Sequence, residues 1–423
     1  KDLSDIGFNM AAIRVTGKKI IITSGIHFLV FEDGRKIGCF ELEGDVVHEV
    51  NKKDQDGKQD NKQRDDTQSG NTNYILASAL SPSGEIFAIC DNRKQLHLFQ
   101  TRPKWQLLSR RTAPKRCTAV IFAQQEMEVL AADKAGDVYK YSVTDPLQEP
   151  QMVLGHLSIL LDLALTPDDK FIVTCDRDEK VRISHYPNAY NIHAFCLGHT
   201  DKIRVSFCEM LCFVSQIMYL NKSDCLLSGS GDGTIRSWDL NGQEKGCVRC
   251  QSSQGDGEDG ETTSSDMAVK SIEYCSLHHI VAVTFYKLNV LHLYHLSEDS
   301  SSIEFLTEAV VTEEPWDICF DEKGRLWVLQ PSKEQTLHVY QCWQDESRSF
   351  QITQCTDEDI ESILKEVSSN WEFFQESTSV PSLYTGLQKL KIDNMKEYLA
   401  KKQERISGRK RGTTEPPEKK LKI

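Results

Sequence analysis

The sequence predicts an all-β protein, a seven-bladed β-propeller, and two regularities carry this prediction. Short runs of β-branched and aromatic residues, separated by Gly and Asp turns, recur roughly every 40–45 residues between positions 11 and 355. The dipeptide Gly-His stands at 155–156 and again at 198–199, a spacing of 43 residues, or one such unit. A blade is a four-stranded sheet of this length, and seven blades in a closed ring protect their sheet edges. We therefore expect one propeller domain over residues 11–355.

The unit that starts at Gly198 carries the most specific pattern. His199 follows the glycine, and Ser228 lies in the second expected strand. Asp232 stands in the next turn, and Trp238 lies in the third strand. These four residues are the signature of a WD-repeat blade, in which the Asp caps the turn and orients the imidazole while the indole N–H is buried as a paired donor. The fold class is therefore a seven-bladed WD-repeat β-propeller, with these four residues as a structural tetrad.

The other six blades follow from strand-like runs on either side of this unit. They span about 11–50, 74–113, 114–154, 155–197, 267–310 and 311–355. Each contains short apolar runs split by turn residues, which is typical of strands in an antiparallel sheet.

Three segments interrupt the period. Residues 51–70 contain no apolar residue and five charges of each sign, and residues 251–266 contain five acidic residues and neither a basic nor an apolar one. Neither segment can bury apolar surface, so we expect two disordered loops. Residues 202–212 are too apolar for a solvated loop and make the Gly198 unit about eleven residues too long, so we interpret them as an insertion after the Gly-His pair.

The ends of the chain differ from the ring. Residues 1–10 form an N-terminal extension, and residues 356–405 predict a C-terminal helical extension. Thr356 to Asp359 resembles a capping box, Ile360, Ile363 and Val367 recur at helical spacing, and a second helical run follows Asp393. Residues 406–423 are a basic disordered tail. Its split basic clusters favour nuclear import, hence a nuclear protein, while a polyanion contact and a merely solvating tail remain open.

Composition excludes several functions. Residues 389–423 hold 12 Lys/Arg and 5 Asp/Glu, which gives this segment a charge of +7. Because the net charge of the whole chain is −13, the residues before this segment carry −20. An acidic body is not typical of a protein that grips nucleic acid by itself, so we expect tRNA or other RNA to be met mainly through a partner. No apolar run approaches the roughly 18 residues of a membrane span, and no secretory leader is visible. The fourteen cysteines are expected to be reduced.

Catalytic motifs are absent from the sequence. There is no P-loop, no His-Glu-x-x-His, no Gly-x-Ser-x-Gly and no Gly-x-Gly-x-x-Gly after a strand, so we expect no catalytic residues and no cofactor of its own. Cys247 and Cys250 lack a second pair at zinc spacing, and we expect no metal site.

Binding residues are expected on the face that carries the Gly-His connections. There the residue before the turn Asp points outward beside the central channel; in the Gly198 unit this is Gly231. Aligning Arg182 with Arg236 puts Asp178 on Asp232 and makes Arg177 the exposed residue of the fourth blade. The matching residue of the third blade is Lys134, and Lys180 lies near Arg177. Cations retained on an acidic body are candidates to pair with a partner's carboxylates, the alternative being that Arg177 only balances neighbouring acids.

Several runs resemble a known family. The strongest are Leu154–Asp162, Pro167–Ile172, Asp176–Arg182 and Ala194–Thr200. They closely resemble the non-catalytic WD-repeat subunit of tRNA (guanine-N7)-methyltransferase, as do Ala132–Tyr139, Pro315–Ile318, Leu326–Gln330 and Asn370-Trp371. The similarity covers nearly the whole chain, and residues 202–212 depart from the family pattern.

The resemblance implies a heterodimer with a separate catalytic subunit. That partner would bind S-adenosylmethionine and methylate a guanine in the tRNA variable loop, while this chain would act as a scaffold that stabilises and orders it. The family's partner contact lies on blades that match the third and fourth here, where Lys134, Arg177 and Arg182 fall.

Three other functions fit the sequence less well. A general WD-repeat interaction scaffold, such as a ubiquitin-ligase substrate receptor, would carry Trp-Asp-x-Arg at the end of a third strand, but Asn241 follows Trp238-Asp239-Leu240. A direct tRNA binder without a partner is disfavoured by the acidic body, and an enzyme acting alone by the missing motifs.

Overall fold

The computed structural model confirms the seven-bladed β-propeller. It describes residues 11–43, 46–49, 73–178, 180–199, 213–251, 267–344, 350–355, 357–378 and 387. Within these residues the strands form seven antiparallel sheets, each built from strands consecutive in sequence. The first strands of neighbouring blades pack against each other around the centre of the ring.

The first four blades contain seventeen strands. The first blade is β1 (Ala11–Thr16), β2 (Lys19–Ser24), β3 (His27–Glu32), β4 (Arg35–Glu43) and β5 (Val46–Glu49). The second is β6 (Ile75–Leu80), β7 (Ile86–Asp91), β8 (Gln95–Gln100) and β9 (Gln106–Thr112). The third is β10 (Cys117–Phe122), β11 (Glu128–Asp133), β12 (Asp137–Ser142) and β13 (Gln151–Gly155). The fourth is β14 (Leu160–Leu165), β15 (Phe171–Asp176), β16 (Val181–His185) and β17 (Ile192–Cys196).

The remaining blades have four strands each. The fifth is β18 (Val214–Leu220), β19 (Cys225–Ser230), β20 (Thr234–Asp239) and β21 (Glu244–Arg249). The sixth is β22 (Val269–Cys275), β23 (Ile280–Phe285), β24 (Val290–Leu296) and β25 (Ile303–Val310). The seventh is β26 (Asp317–Phe320), β27 (Arg325–Leu329), β28 (Leu337–Gln344) and β29 (Phe350–Gln354), followed by the helices α1 (Glu358–Ser369) and α2 (Glu372–Thr378). The sequence did not predict β5 or α2 as separate elements.

Apolar side chains pack between blades rather than within one sheet. The second strands β2, β19 and β23 are buried along their full length because both of their faces meet a neighbouring blade. Between the third and fourth blades, Leu130 and Val138 pack in one cluster with Leu160 and Ile172. Each interface of this kind fixes the angle between its two blades.

The ring closes between the seventh and first blades without exchange of a strand. The backbone N–H of Ile13 donates to Asp317 Oδ2 at 3.0 Å, and Arg14 Nη1 lies 2.7 Å from the same oxygen. Both helices pack over this junction, where α1 contributes Ile360, Ile363 and Val367 and α2 contributes Phe374 to one apolar cluster with β1, β2, β27 and β28.

The predicted capping box is wrong for α1. The N-cap residue is Asp357, and its side chain makes no cap hydrogen bond. Its carboxylate lies 3.6 Å from Arg325 Nη1 instead, so this acid joins the helix to the seventh blade.

Several predicted segments lie outside the described residues. These are the N-terminal extension 1–10, the loops 51–70 and 252–266, the insertion 202–212, the second helical run after Asp393 and the tail 406–423. Across the described part of the chain, no helix is long and apolar enough to cross a membrane.

Candidate partner-binding site

The predicted tetrad forms one continuous hydrogen-bonded chain in the fifth blade. His199 Nδ1 lies 3.1 Å from Asp232 Oδ2, His199 Nε2 lies 2.7 Å from Ser228 Oγ, and Trp238 Nε1 donates to Ser228 Oγ at 2.8 Å. All four side chains are buried. Burial opposes ionisation of Asp232, but hydrogen bonds from His199 and Thr234 outweigh it and lower the pKa of this carboxyl. The chain fixes the connection before β18 to the turn after β19.

The fourth blade contains a related chain with a different acid. His156 Nδ1 lies 3.0 Å from Asp176 Oδ2, and His156 Nε2 lies 2.8 Å from Thr174 Oγ1. The alignment that makes Asp178 the turn acid agrees with the strand register, because Arg182 pairs with Thr174 as Arg236 pairs with Ser228. The acid that holds the imidazole is nevertheless Asp176, two residues earlier. Its Oδ1 also accepts the N–H groups of Asp178 and Lys180 at 2.8 and 3.1 Å, so Asp176 caps the turn as well.

One backbone hydrogen bond recurs at the same place in five consecutive blades. The residue directly after the second strand donates its N–H to the carbonyl of the residue directly before the first strand. The donors are Asn92, Lys134, Arg177, Gly231 and Tyr286, and the distances lie between 2.9 and 3.1 Å. These positions are therefore equivalent, and they lie on one face of the ring, which we call the upper rim.

The upper rim brings three of the predicted site residues together. Lys134 and Arg177 occupy equivalent, half-buried positions on the adjacent third and fourth blades. Lys180 is exposed in the turn that Asp176 caps, three residues beyond Arg177. Arg177 Nε is buried and has no hydrogen-bond partner among the described residues. This stretch of the rim therefore carries three cations on two blades, with the half-buried carboxylate of Asp178 beside Arg177.

Arg182 lies beneath that surface. It is only 8% exposed, and its Nη1 donates to the carbonyl oxygen of Gly155 at 3.0 Å. Burial lowers the pKa of Arg182, although Asp176 acts in the opposite direction. Its contact with Gly155 holds the connection between the third and fourth blades, so its main role within this chain is to position that connection.

The same connection carries a residue that the sequence analysis missed. Leu157 is fully exposed, and it lies between the third-blade turn with Lys134 and the fourth-blade turn with Arg177. Gly136, with φ +100°, allows the connection to approach the third-blade turn, because a Cβ there would lie 2.6 Å from the carbonyl oxygens of His156 and Ser158. His156 N–H also donates to the Gly136 carbonyl at 2.8 Å. Leu157 is thus an apolar side chain displayed on a fixed backbone between cations.

Exposed apolar side chains concentrate on the same two blades. Of thirteen large hydrophobic side chains exposed within the described residues, eight belong to the third and fourth blades. They are Met127, Leu147, Met152, Leu157, Tyr190, Ile192, Phe195 and Leu197. Of these, Leu157 and Leu197 follow the last strands of their blades on the side of the upper rim, whereas Met127 and Leu147 lie in connections on the opposite face. A surface that combines an apolar anchor with cations, as around Leu157, is typical of a protein-binding site.

The described residues offer no metal chemistry at this site or elsewhere. No group of three or more His, Cys, Asp and Glu among them is arranged to hold a metal ion. Cys247 is exposed and Cys250 is buried, and both are free thiols. The arrangement on the upper rim can bind an acidic, partly apolar surface. The hydroxyl–imidazole pairs described above, Ser228 with His199 and Thr174 with His156, have fully buried hydroxyls and serve as structural links.

Solved propellers share this fold at low sequence identity. The chain aligns with a structure titled "Structure of U3-55K" with a TM-score of 0.58 and 15% identity, over 82% of this chain and 97% of that one. It aligns with "Crystal structure of RRP9 WD40 repeats" with a TM-score of 0.57 and 16% identity, over 77% and 89%. These similarities show the fold alone.

Sequence comparisons identify a family. The chain matches the family described as "tRNA methyltransferase TRM82 WD40 domain" over residues 45–150 and 140–354. It is 35% identical to the tRNA (guanine-N(7)-)-methyltransferase non-catalytic subunit wdr4 of Xenopus laevis, over 94% of this chain and 95% of the relative. Identity to the subunit of the same name is 35% in Danio rerio, over 84% and 83%, and 33% in Homo sapiens, over 92% and 89%. The chain therefore belongs to the family of non-catalytic WD-repeat subunits of tRNA (guanine-N7)-methyltransferase, and it is not itself the enzyme.

Proposed function

We propose that this chain holds the catalytic methyltransferase subunit on the upper rim of its third and fourth blades. In the resulting heterodimer the partner binds S-adenosylmethionine and methylates a guanine in the tRNA variable loop. The propeller contributes no reacting group. It stabilises and orders the partner so that tRNA meets a fixed surface, which lowers the entropy that has to be lost before reaction.

The observation that carries this proposal is the placement of Leu157 between Lys134 and Arg177. Binding hot spots lie in central contacts that the surrounding residues shield from water, and we assign that central place to Leu157. Both sides of the anchor are fixed, because His156 is bound to Asp176 and Thr174 and the Gly155 carbonyl is bound to Arg182. Little conformational freedom is lost when such a preformed loop binds.

The charges select the partner's chemistry. Lys134, Arg177 and Lys180 are cations placed close together on a body with a charge of −20, so they favour an acidic segment of the catalytic subunit. Arg177 Nε, buried and unpaired among the described residues, is a donor that a partner carboxylate would satisfy.

Titration of the purified chain with the catalytic subunit tests this site. Leu157→Asp and Arg177→Glu are expected to raise the Kd about 30-fold or more each, which corresponds to about 2 kcal/mol for loss of a central contact. Two matched controls lie on the opposite face: Leu147→Asp replaces an equally exposed leucine, and Lys170→Glu replaces an exposed cation in the turn between β14 and β15.

The controls decide the outcome. Unchanged Kd for Leu147→Asp and Lys170→Glu together with weakened binding by the rim variants supports the assignment. If the rim variants bind as tightly as the parent chain, the catalytic subunit does not dock here.

We also propose that the protein works in the nucleus, since its split basic tail between Lys401 and Lys420 has the composition of an import signal. Fluorescence imaging of the full-length chain and of a variant with the tail lysines and arginines replaced by Gln tests this. Equal nuclear signal for both would contradict the role of the tail.

A further inference from the structure

The second blade carries a cationic surface of its own on the upper rim. Its two rim loops, residues 92–94 and 113–116, contain four Lys or Arg and neither Asp nor Glu. The four are the exposed Arg93, Lys94 and Lys115 and the half-buried Arg116, and we call them the second-blade patch. In the fourth blade, by contrast, Asp178 stands beside Arg177. The rim loops of the second blade are therefore cationic without a neighbouring acid in the same loops.

Hydrogen bonds hold the two loops of the patch against each other. The N–H of Ala113 donates to the Lys94 carbonyl oxygen at 2.7 Å. Arg116 Nε donates to the Asn92 carbonyl oxygen at 3.0 Å. The Arg116 carbonyl oxygen in turn accepts the N–H of Lys134 at 3.1 Å, which joins the patch to the third blade. The patch therefore continues the rim directly from the docking site proposed above, on a backbone that is already fixed.

Lys94 has a backbone conformation that favours glycine. Its φ is +66°, and the aligned residues of the third and fifth blades, each two positions after the rim residue, are Gly136 and Gly233 with φ of +100° and +76°. An L side chain in this region is strained, whereas glycine is not. Residues held in such conformations cluster at functional sites. The second blade thus has a cation in its rim turn where local backbone geometry favours glycine.

The composition of the patch favours a phosphate backbone over a protein surface. Specific protein interfaces have a largely apolar core. Of the thirteen large hydrophobic side chains exposed within the described residues, one, Leu108, belongs to the second blade, and it lies within β9 rather than in the rim loops. Clustered Lys and Arg without apolar neighbours neutralise the phosphates of a nucleic acid, which gives affinity without sequence readout.

We propose that the second-blade patch binds the phosphate backbone of the RNA on which the catalytic subunit acts. The body of the chain carries −20, so repulsion limits what the patch can hold by itself. Its position beside Lys134 links it to RNA that the docked subunit already binds, which raises the effective concentration of the phosphates at the patch. The choice of tRNA as this RNA rests on the proposed function.

Binding of an unmodified tRNA transcript to the complex of the full-length chain and the catalytic subunit tests the patch. The triple variant Arg93→Gln, Lys94→Gln, Lys115→Gln removes three exposed charges. We expect its Kd to be about 10-fold higher at about 0.1 M salt. The slope of log Kd against log salt concentration should fall by about 2 to 3, because each lost phosphate contact lowers it by about 0.7 to 0.9.

A matched control removes three charges from the opposite face. It replaces by Gln three exposed lysines in turns of that face, namely Lys104, Lys170 and Lys323. Its Kd and salt slope should stay close to those of the parent, because the charges removed do not lie on the upper rim.

Lys94→Gly separates RNA binding from folding. The substitution removes one cation and also relieves the backbone, so it should raise the Kd for tRNA about 2-fold while the melting temperature stays at or above that of the parent. Lys94→Arg keeps the charge and should bind tRNA as the parent does.

The outcomes are distinct. Equal Kd and equal salt slope for the parent and the triple variant would overturn the proposal. So would weaker binding of the catalytic subunit by the triple variant in the absence of RNA, because the patch would then pair with the partner protein. If the parent chain does not bind the catalytic subunit at all, the proposed function fails instead. The isolated parent and triple variant, titrated with tRNA at low salt, then still test the patch.

Discussion

Replacement of Ser228 by Ala tests the energetic account of the fifth blade. The Ser228 hydroxyl accepts from Trp238 Nε1 at 2.8 Å and bonds His199 Nε2 at 2.7 Å, and all three residues are at most 3% exposed. Since the carboxylate of Asp232 only accepts, His199 Nδ1 donates to it. Loss of the hydroxyl leaves two buried polar groups unsatisfied, at about 1–3 kcal/mol each, or about 2–6 kcal/mol in all.

Thr174→Val is the matched comparison in the fourth blade. Thr174 Oγ1 is hydrogen-bonded to His156 Nε2 at 2.8 Å. The isosteric change to Val therefore leaves one buried polar group, this imidazole nitrogen, without its partner. We expect it to lower the free energy of unfolding by about 1–3 kcal/mol, roughly half the effect of Ser228→Ala.

Urea denaturation of both variants, followed by tryptophan fluorescence, measures the difference. With unchanged m-values, the shift in midpoint gives the change in stability directly. If Ser228→Ala costs no more than Thr174→Val, the indole N–H and the imidazole are not held by this hydroxyl, and the physical account of the tetrad is refuted.

Three further results are expected. Burial raises the pKa of Asp162 to about 7 and that of Glu273 to about 8, so folding favours their neutral forms, and stability falls as pH rises from about 4 through 8. The difference between the urea midpoints at pH 5 and pH 9 should be smaller in the Asp162→Asn, Glu273→Gln double variant than in the parent chain. An unchanged difference would contradict this. Gly136→Ala should weaken binding of the catalytic subunit more than Gly17→Ala, because both glycines have positive φ but only Gly136 lies against backbone oxygens. Equal Kd values of the two variants in a titration would contradict the role of the connection between the third and fourth blades. Ile363→Ala should lower the free energy of unfolding by about 2–4 kcal/mol, measured by urea denaturation, because it leaves a cavity under α1. A loss below about 1 kcal/mol would show that the helix does not support the closure of the ring.

The sequence predicted the parts of the fold that depend on local spacing. The tetrad could be assigned because His199 and Trp238 have fixed positions within one repeat, and Lys134 and Arg177 could be aligned because each directly follows a second strand. The alignment that puts Asp178 on Asp232 did not identify Asp176 as the acid that holds His156, because strand alignment gives register but does not show which carboxylate turns inward.

Features formed by distant residues were not predictable in this way. Leu157 is one apolar residue in a connection, and its importance depends on the two turns that flank it in space. Leu387 is buried in one cluster with Phe213, Ala268 and Tyr286, and none of these residues shows by itself that the cluster forms. A single sequence carries no signal for such an arrangement.

Closure of the ring without strand exchange has a consequence for biosynthesis. The first blade leaves the ribosome before the other blades, yet its Ile22 and Phe31 pack in one cluster with the last blade and with α1 and α2. During translation of the intervening blades this surface has no final partner. The nascent chain therefore depends on its last helices to protect its earliest strands, which makes premature termination near residue 355 a route to aggregation rather than to a shorter working ring.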